Sequence, residues 1–407
     1  DSGPFAKAAG RRLNNLEDWL RHLEGLHPKG QAGIELGLER IRRVKAALGQ
    51  TQHCPVIIVG GTNGKGSTCS YLEKIIDRAG YRVGCYTSPH LLVYNERVRV
   101  NGKPASDDAL CAAFARVEAA RQEVGNIMLT YFEFGTLAAW EVFAAADVEA
   151  AILEVGLGGR LDAVNAYEPD VSIVTTIALD HTDWLGPDRT SIGFEKAGIY
   201  RAGKPALCAD PQPPQSLLDH AAAIGADLRL IGRDFGFERT RGEGNETRLQ
   251  WRWWCRAGKK LIKRSLAYPG LRGPAQLYNA AVALAALEAL GDKLPVTMQA
   301  IRPGLIETEL VGRFQVLPGK PAIVLDVGHN PQAIKVLADN LADMGFFDRT
   351  HAVVGMLNDK DIEGALMPLK GKVDFWHAAT LTGVRGTNSE TLAAIIERAQ
   401  LGGEVIC

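Results

Sequence analysis

The chain has 407 residues, of which 46% are hydrophobic and 23% charged, and its formal net charge at pH 7 is -1. This length exceeds what one hydrophobic core usually organises, so we expect two domains. A nearly neutral chain is not a general polyanion binder, although local patches can still be basic. The seven cysteines are scattered without a C-x-x-C pair, which favours free thiols over disulfides or a zinc site.

No apolar run in the sequence approaches the roughly 20 residues that cross a bilayer. Residues 1–7 also lack the apolar core of a signal peptide. We therefore expect a cytoplasmic protein without a membrane partner.

Helical and strand patterns alternate along most of the chain. Leucines at helical spacing predict a helix over residues 13–26, and a second helix is predicted over residues 36–48. Further elements are predicted as strands at 56–59, 82–88, 150–155 and 171–177 and as helices at 69–79, 107–124, 130–146 and 277–290. This alternation indicates an α/β fold with a doubly wound, mainly parallel sheet.

The pattern restarts near residue 310. The later apolar runs predict strands at 321–327, 351–356, 373–379 and 404–407. We therefore predict a larger domain over residues 1–310 and a smaller, Rossmann-like α/β domain over residues 311–407.

Residues 56–68, V-I-I-V-G-G-T-N-G-K-G-S-T, carry the clearest chemical signal. An apolar strand leads into a glycine-rich turn, and a helical pattern follows and ends at Gly80. The backbone N–H groups of such a turn and the N-terminus of its helix bind phosphates. Lys65 is then expected to contact the β- and γ-phosphates and Ser67 to ligate Mg²⁺. The common nucleoside-triphosphate loop places Ser or Thr directly after Lys, whereas Gly66 intervenes here.

Polar side chains stand near the ends of three further predicted strands. Ser88 ends one strand, Glu154 nearly ends another, and His181 follows a third by a few residues. Ligands of doubly wound sheets bind outside the carboxyl ends of the strands. These groups are plausible ligands for Mg²⁺, although Mg²⁺ prefers oxygen and the histidine is the less expected member. The alternative is a carboxylate that caps a turn and a histidine that is hydrogen-bonded in the core.

Two basic features have competing interpretations. Lys196 follows Glu195, and spacing alone favours a solvated lysine beside an ion-pair partner. Residues 248–256 are rich in arginine and tryptophan and are followed by several lysines. This composition suits single-stranded nucleic acid, but the alternation favours a hairpin with one packed face.

The predicted smaller domain also places polar groups at a strand end, at Asp326 and His329. Arg313, at the predicted junction, is placed to reach a nucleotide from the hinge side. From the residues alone, the chain is a two-domain, Mg²⁺-dependent ATP user with its site in the cleft between the domains. This does not distinguish a kinase from a ligase.

Several motifs follow one another in a fixed order. They are G-T-N-G-K-G-S at 61–67, T-S-P-H-L at 87–91, E-R-V-R-V at 96–100, L-E-V-G-L-G-G-R-L-D at 153–162, A-L-D-H-T-D-W-L-G at 178–186, E-K-A-G-I at 195–199, G-R-F at 312–314 and D-V-G-H-N-P at 326–331. With these motifs the chain resembles the Mur ligase superfamily, and within it the folylpolyglutamate synthase/dihydrofolate synthase branch. The likeness runs from about residue 13 to the end.

The resemblance implies ATP-dependent amide-bond ligation. A carboxyl group of the pterin substrate attacks the γ-phosphate of ATP, and the amine of L-glutamate then displaces phosphate from the acyl phosphate. Dihydropteroate and tetrahydrofolate or its one-carbon forms are the implied acids. ATP and two Mg²⁺ ions are the implied cofactors, with K⁺ as an additional candidate. We expect a monomer and no nucleic-acid partner.

The family motifs also imply a role for each matching residue. The triphosphate is bound by Asn63, Gly64, Lys65, Gly66 and Ser67, and further nucleotide contacts come from Asn279, Arg313 and Asp326. The metal ligands are Ser67, Ser88, Glu154, His181 and Lys196, the last as a carbamate, which reverses the interpretation from spacing. The implied catalytic residues are Lys65, Lys196 and His329.

The resemblance further implies a dihydropteroate site, which favours dihydrofolate synthase activity in addition to polyglutamation. Its contacts are Glu35, Thr130, Tyr131, Phe132, Glu133, Leu161, Asp162 and Ala163, with Glu35 where an aspartate is familiar. The alternatives are a monofunctional folylpolyglutamate synthase, another Mur-type ligase, or a nucleic-acid-dependent ATPase. One departure is that the family usually continues beyond the last predicted strand into a Gly-Ser-Phe segment and another helix.

Overall fold

The computed structural model describes residues 7–8, 11–13, 15–28, 34–240, 250–383 and 385–407. Its contacts divide the chain into two compact units. The first comprises Asp1–Gly270 and Leu277–Thr308, and the second comprises Leu271–Gln276 and Glu309–Cys407. In the described part of the chain, no helix combines the length and apolar character that a membrane crossing requires.

Helices and strands alternate through both units. The helices are α1 (Leu16–Leu26), α2 (Glu39–Ala47), α3 (Lys65–Arg78), α4 (Asp107–Glu123), α5 (Tyr131–Ala145), α6 (Thr182–Leu185), α7 (Arg189–Ala197), α8 (Gln215–Ile224), α9 (Ala275–Leu290), α10 (Met298–Glu307), α11 (Pro331–Asp343), α12 (Ile362–Leu366) and α13 (Ser389–Arg398). The strands up to the last helix of the first unit are β1 (Lys7–Ala8), β2 (Arg11–Arg12), β3 (Val56–Gly60), β4 (Val83–Tyr86), β5 (Val98–Val100), β6 (Lys103–Pro104), β7 (Ala150–Glu154), β8 (Val171–Val174), β9 (Pro205–Cys208), β10 (Asp227–Leu230), β11 (Phe235–Thr240), β12 (Gln250–Ala257) and β13 (Lys260–Ala267). The remaining strands are β14 (Gln315–Leu317), β15 (Ile323–Leu325), β16 (His351–Val354), β17 (Phe375–Ala378) and β18 (Glu404–Ile406).

The largest sheet among the described residues has eight strands, in the order β10-β9-β8-β3-β7-β4-β5-β6. The first six strands run parallel, and β5 and β6 are antiparallel. β3 is buried along its whole length, because a parallel strand covered by helices on both faces has no solvent side. The strand order reverses at β3, and this switch point is where open α/β sheets bind ligands. The predicted doubly wound fold is therefore confirmed.

Several predicted boundaries differ from the structure, and two of these differences have identifiable reasons. The first helix begins at Leu16 rather than Leu13, because the Asn15 side chain accepts a hydrogen bond from the Asp18 N–H at 2.9 Å and caps it. The strand predicted over residues 171–177 ends at Val174. The residues that follow leave the sheet to bond the phosphate loop, as described below.

The tryptophan-rich piece forms the three-stranded antiparallel sheet β11-β12-β13. Trp251 and Trp253 are buried, and the Trp253 indole Nε1 donates to the Ala281 carbonyl of α9 at 3.1 Å. The predicted hairpin with one packed face is confirmed, although Arg248 and Leu249 of that piece lie outside the described residues.

The second unit contains the parallel strands β16-β17-β18 and the antiparallel pair β14-β15. Trp376 of β17 is buried in a core that α11, α12 and α13 also supply. Asn330 caps α11 by accepting from the Ala333 N–H at 2.9 Å, and Pro331 follows at the first helical position.

Candidate active site

The phosphate loop joins β3 to the N-terminus of α3. Gly64 caps the helix with φ +90°, in the left-handed region that favours glycine. A Cβ atom at Gly64 would lie 2.4 Å from the Asn279 Oδ1 atom. The loop therefore needs glycine here for two reasons, and Asn279 of α9 packs directly against it, beside the predicted phosphate contacts.

Two threonines beyond the end of β8 fix the conformation of the loop. The Thr175 hydroxyl donates to the Asn63 carbonyl at 2.6 Å, and the Asn63 N–H donates to the Thr176 hydroxyl at 3.2 Å. The Thr62 N–H donates to the Thr176 carbonyl at 2.7 Å. Sequence reasoning missed both threonines, because only the pairing of β8 with β3 brings them to the loop.

Lys65, Gly66 and Ser67 form the first turn of α3. The Lys65 Nζ atom donates to the carbonyls of Gly61 at 3.0 Å and Thr62 at 3.1 Å, so this side chain folds back over the loop. Ser67 is buried, and the adjacent Thr68 hydroxyl is a buried donor without a hydrogen-bond partner among the described residues. A helix N-terminus with a lysine and hydroxyls in its first turn can bind phosphate.

Glu154 ends β7, the strand next to the one that leads into the phosphate loop. It pairs with Val59 in the sheet, one position before the end of β3. Glu154 is only 4% exposed, and its Oε2 atom accepts from the Ser88 N–H at 2.9 Å. The structure thus brings Glu154 and Ser88 together as predicted, and the carboxylate also holds the turn after β4.

The described residues contain no group of three or more His, Cys, Asp and Glu side chains that could hold a metal ion. Of the predicted ligands, Glu154 and His181 are the members of those residue types. The remaining members are the hydroxyls of Ser67 and Ser88 and the modified Lys196.

His181 immediately precedes α6, as its N-cap residue, with left-handed backbone angles of φ +50° and ψ +42°. Its N–H donates to the Asp180 Oδ1 atom at 2.9 Å, and its Nε2 atom lies 3.8 Å from the Asp180 Oδ2 atom. Asp210, not predicted from the sequence, holds the segment before it: its Oδ2 atom accepts from the Ile177 N–H at 2.8 Å and from Arg189 at 3.0 Å.

The structure overturns the spacing-based interpretation of Lys196 as a solvated ion-pair partner. Lys196 is 4% exposed, and Glu195 pairs instead with Arg160 at 2.8 Å. Burial first, and the charge of Lys65 second, lower the pKa of Lys196 to about 7. The carboxylates of Asp162 and Asp180 act in the opposite direction. A buried amine that is partly neutral near pH 7 can react as a nucleophile.

The Thr130 and Glu133 side chains form the capping box of α5. The Thr130 hydroxyl accepts from the Glu133 N–H at 3.2 Å, and the Thr130 N–H donates to the Glu133 carboxylate at 2.8 Å. Arg40 was not predicted from the sequence. Its guanidinium donates to the Glu133 carboxylate at 3.1 Å and also pairs with the carboxylate of Glu35. Three of the predicted pterin contacts therefore belong to one polar network.

Phe132 packs between Tyr86 and the loop that precedes Ala163. The Phe132 ring stacks on Tyr86 with centroids 5.7 Å apart, and a Cβ at Gly156 would lie 2.8 Å from the Phe132 ring. Asp162 accepts from the N–H groups of Gly156, Leu157 and Val164 at 3.0, 2.8 and 3.1 Å. Burial nevertheless raises the pKa of Asp162 to about 7.

The same loop is tied to the segment that carries Glu35. The Leu161 carbonyl accepts from the Gly37 N–H at 3.3 Å, and Ala163 is buried at the start of a short 3₁₀ helix. The structure therefore brings the three predicted pterin segments together, with Tyr131 buried behind them.

Arg97 is a second arginine that sequence reasoning did not assign. It is 8% exposed, and its Nε atom donates to His90 Nδ1 at 2.9 Å. Its guanidinium lies 5.5 Å from the ring centroids of both Tyr94 and Tyr131. Burial and the Arg97 charge lower the pKa of His90, which keeps that ring a neutral acceptor. Within the described residues Arg97 has no carboxylate partner.

The second unit contains the predicted nucleotide contacts Arg313 and Asp326 and the predicted catalytic residue His329. Asp326 accepts from the N–H groups of Phe314 at 2.8 Å and Gly328 at 2.7 Å, which joins the end of β15 to the segment with Arg313. The His329 ring is exposed, and its Nδ1 atom lies 3.0 Å from the Val327 carbonyl.

Comparisons with known proteins agree with these features. Residues 59–287 match the Mur ligase middle domain, and residues 312–407 match the Mur ligase glutamate ligase domain. The chain is 47% identical over 387 residues to the dihydrofolate synthase/folylpolyglutamate synthase of Escherichia coli (strain K12), covering 95% of this chain and 86% of the relative. It is 40% identical over 396 residues to the protein of the same name from Haemophilus influenzae, covering 93% and 85%.

Two groups of solved structures show the same fold. The E. coli FolC complex with DHPP and ADP has a TM-score of 0.86 and 45% identity, with 97% of this chain and 89% of that chain covered. The Yersinia pestis bifunctional folylpolyglutamate synthase/dihydrofolate synthase complexed with AMPPNP and Mn has a TM-score of 0.83 and 44% identity, with 97% and 95% covered. These matches confirm the predicted fold class. The chain belongs to the Mur ligase family, in the dihydrofolate synthase/folylpolyglutamate synthase branch of ATP-dependent ligases.

Proposed function

We propose that this ligase joins L-glutamate both to dihydropteroate, forming dihydrofolate, and to the γ-carboxylate of tetrahydrofolate or its one-carbon forms. The observation that carries the proposal is the connected pterin region, in which Glu35, Arg40 and Glu133 form one polar network beside Phe132. The E. coli relative was solved with DHPP and ADP, and a Y. pestis relative with Mn, AMPPNP and L-glutamate.

The chemistry has two steps that balance in atoms and charge. A carboxylate oxygen of the pterin acid attacks the γ-phosphorus of ATP, forming an acyl phosphate and releasing ADP. The neutral amine of glutamate then attacks the acyl carbon, and the tetrahedral intermediate expels inorganic phosphate and loses a proton. Charge develops on oxygen in both steps, so catalysis depends on positioning and on fixed cations.

The nucleotide is held by the phosphate loop in this proposal. The N–H groups from Gly64 to Ser67 and the Lys65 ammonium bind the phosphates, and Asn63 belongs to the same loop, which Asn279 supports. The family motifs assign further nucleotide contacts to Arg313 and Asp326, and the orientation of the acyl phosphate or the glutamate to His329. These roles rest on the family motifs and on the loop geometry described above.

Arg97 is assigned the role of receiving the carboxylate of the pterin acid. A buried guanidinium is costly without an anion, and its two flanking tyrosine rings supply only part of the compensation. The Arg97 Nε atom donates to His90, so the two terminal nitrogens of the Arg97 guanidinium are left for a ligand. An arginine fork fits a carboxylate in a bidentate geometry.

The polar residues near the carboxyl ends of the parallel strands fit a divalent cation. Ser67, Ser88, Glu154 and His181 would hold two Mg²⁺ positions together with the carbamate of Lys196, and K⁺ is an additional candidate. Bound Mg²⁺ would offset the charge of the phosphate oxygens. The burial of the Glu154 carboxylate beside Ser88 supports this assignment.

The buried environment of Lys196 supports its proposed carbamylation. The neutral amine adds to carbon dioxide and releases one proton, which replaces a buried ammonium beside Lys65 by an anion. The lowered pKa makes the neutral amine available near neutral pH. The charge reversal removes the repulsion between the two lysines and creates oxygen ligands for a metal.

The pterin assignment is tested by Phe132→Ala, because this half-buried ring lies at the contact between α5 and the Gly156 loop. Phosphate release with dihydropteroate, ATP and L-glutamate should show a rise in KM for dihydropteroate of about tenfold or more. The KM for ATP should stay unchanged. Phe346→Ala, at a 90% exposed ring in the second unit, is the matched control. An unchanged KM for dihydropteroate would contradict the assignment.

We also propose that the protein is a monomer and acts in the cytoplasm. Size-exclusion chromatography with light scattering tests the first statement, and cell fractionation tests the second.

A further inference from the structure

The sheet β11-β12-β13 has a second face that the ligase reaction does not use. Side chains alternate along β12, so Trp251, Trp253 and Cys255 are buried on one face. Arg252, Trp254 and Arg256 project from the opposite face, and Lys263 of β13 pairs with Trp254 in the register. We call this set the Trp254 face: Arg252, Trp254, Arg256 and Lys263.

Trp254 lies at the centre of this face, and its indole ring packs on the neighbouring strand β11. Its partner on β11 is Gly236, and a Cβ built on Gly236 would lie 2.9 Å from the ring. The indole therefore packs against the bare glycine backbone and remains partly exposed. Support from below holds an aromatic ring in a fixed orientation, as a stacking platform requires.

Basic residues surround this ring on an otherwise balanced chain. Residues 250–267 contain six Lys and Arg residues and no Asp or Glu, whereas the whole chain has a formal net charge of -1. Arg264 is directed to the packed side, 3.8 Å from Glu288 of α9. Arg252 is 42% exposed and has Glu238 at 3.5 Å, and Lys259 and Lys260 lie at the turn between β12 and β13. Glu238 lies opposite Arg252 on this face, whereas Arg256 and Lys263 have no ion-pair partner among the described residues, so a net positive charge remains beside Trp254.

We propose that the Trp254 face binds single-stranded nucleic acid, with a base stacked on Trp254 and phosphates paired with Arg252, Arg256 and Lys263. Exposed aromatic rings on an antiparallel sheet, flanked by cations, bind unpaired bases in this way. A polyglutamate chain offers the same charge but has no aromatic base to stack. The net charge of the whole chain led to the expectation that no nucleic acid binds, and the present proposal differs from it. A net charge near zero can hide a basic face on one part of the surface and an acidic face on another.

The binding test uses the full-length protein and a fluorescently labelled oligo-dT of about 15 nucleotides, followed by anisotropy at low salt. The affinity should fall linearly with salt on logarithmic axes. Trp254→Ala should weaken binding about tenfold or more, whereas Trp254→Phe, which keeps a ring, should retain most of the affinity. The pair Arg252→Gln with Arg256→Gln should reduce the salt slope by about 1.4, at about 0.7 for each phosphate contact.

The control pair Lys335→Gln with Lys372→Gln makes the same change of charge at exposed sites of the second unit. It should leave both affinity and slope unchanged. Glutamate ligation should be normal in all variants, which shows that they are folded and that the two functions are separate. Absence of oligonucleotide binding at low salt, equal competition by poly-L-glutamate, or an unchanged affinity of Trp254→Ala would each overturn the proposal.

Discussion

At the scale of single residues, burial decides the chemistry of this site. Lys196 and Arg97 are both cations that the fold removes from water. Lys196 responds with a lowered pKa and becomes a reactive amine, whereas an arginine stays charged and instead needs an anionic partner. The first therefore fits covalent modification, and the second fits a substrate carboxylate.

We expect Lys196→Ala to lower kcat of glutamate ligation by about 10²-fold or more, because the proposed carbamate could no longer supply oxygen ligands to the proposed metal site. Acetate in the assay should restore part of the activity by supplying a carboxylate in the vacated space. Lys204→Ala, at a half-exposed lysine 3.6 Å from Asp170, should have normal kcat. Full activity of Lys196→Ala without acetate would refute the carbamate role.

Arg97→Gln should raise the KM for the pterin acid and leave the KM for ATP unchanged. Losing one partner of a buried charged hydrogen bond costs about 2–5 kcal/mol, so kcat/KM for the acid should fall by about 30-fold or more. Arg97→Lys should recover part of the loss because it keeps the charge but not the fork. Steady-state kinetics with each substrate varied in turn provides the measurement. Equal changes in both KM values would show a general structural defect instead.

At the scale of elements, the phosphate loop is shaped by its neighbours in the sheet. The segment after β8 supplies Thr175 and Thr176 to the loop and then continues to His181. The local pattern of strand, glycine turn and helix was sufficient to predict the loop and Lys65. The threonines, Arg40 and Asp210 could not be predicted, because their contacts depend on which strands become neighbours. The spacing of Glu195 and Lys196 likewise does not reveal which of the two is buried.

Gly64→Ala should weaken ATP binding about tenfold or more, since the added Cβ meets Asn279 at 2.4 Å and the loop must shift. Gly80→Ala is a closely matched control, because Gly80 has φ +91° but nothing within 4 Å of the added atom. That variant should lose about 1 kcal/mol of stability and keep its affinity for ATP. Calorimetric titration with a nonhydrolysable ATP analogue measures both affinities. Equal losses of affinity in the two variants would contradict the proposed packing role of Asn279.

At the scale of the whole molecule, stability and function depend on different buried charges. Glu118 of α4 is buried between His22 of α1, at 3.2 Å, and Arg121, at 2.6 Å. Burial alone would raise the pKa of Glu118, but the hydrogen bonds from His22 and Arg121 outweigh it and hold the pKa at about 2. This cluster lies outside the residues assigned to the reaction and joins two helices of the first unit.

Glu118 should therefore make stability depend on pH in a defined direction. Its folded pKa lies below the ordinary value of 4.5, so its contribution is present above pH 4.5 and is lost as pH falls towards about 2. Glu118→Gln should lower the free energy of unfolding at pH 7 by about 3 kcal/mol, and the difference should shrink at pH 3. Urea unfolding followed by circular dichroism tests this. A difference that is equal at both pH values would contradict the pKa assignment.

We propose that one site of this protein ligates glutamate to two kinds of pterin acid. The most direct measurement is phosphate release with dihydropteroate, dihydrofolate or tetrahydrofolate, each with ATP and L-glutamate, and with mass spectrometry of the products. We expect one glutamate to be added to dihydropteroate and further glutamates to tetrahydrofolate, with phosphate release that requires both the acid and glutamate. Products from tetrahydrofolate alone, or ATP hydrolysis that needs no pterin acid, would contradict this proposal.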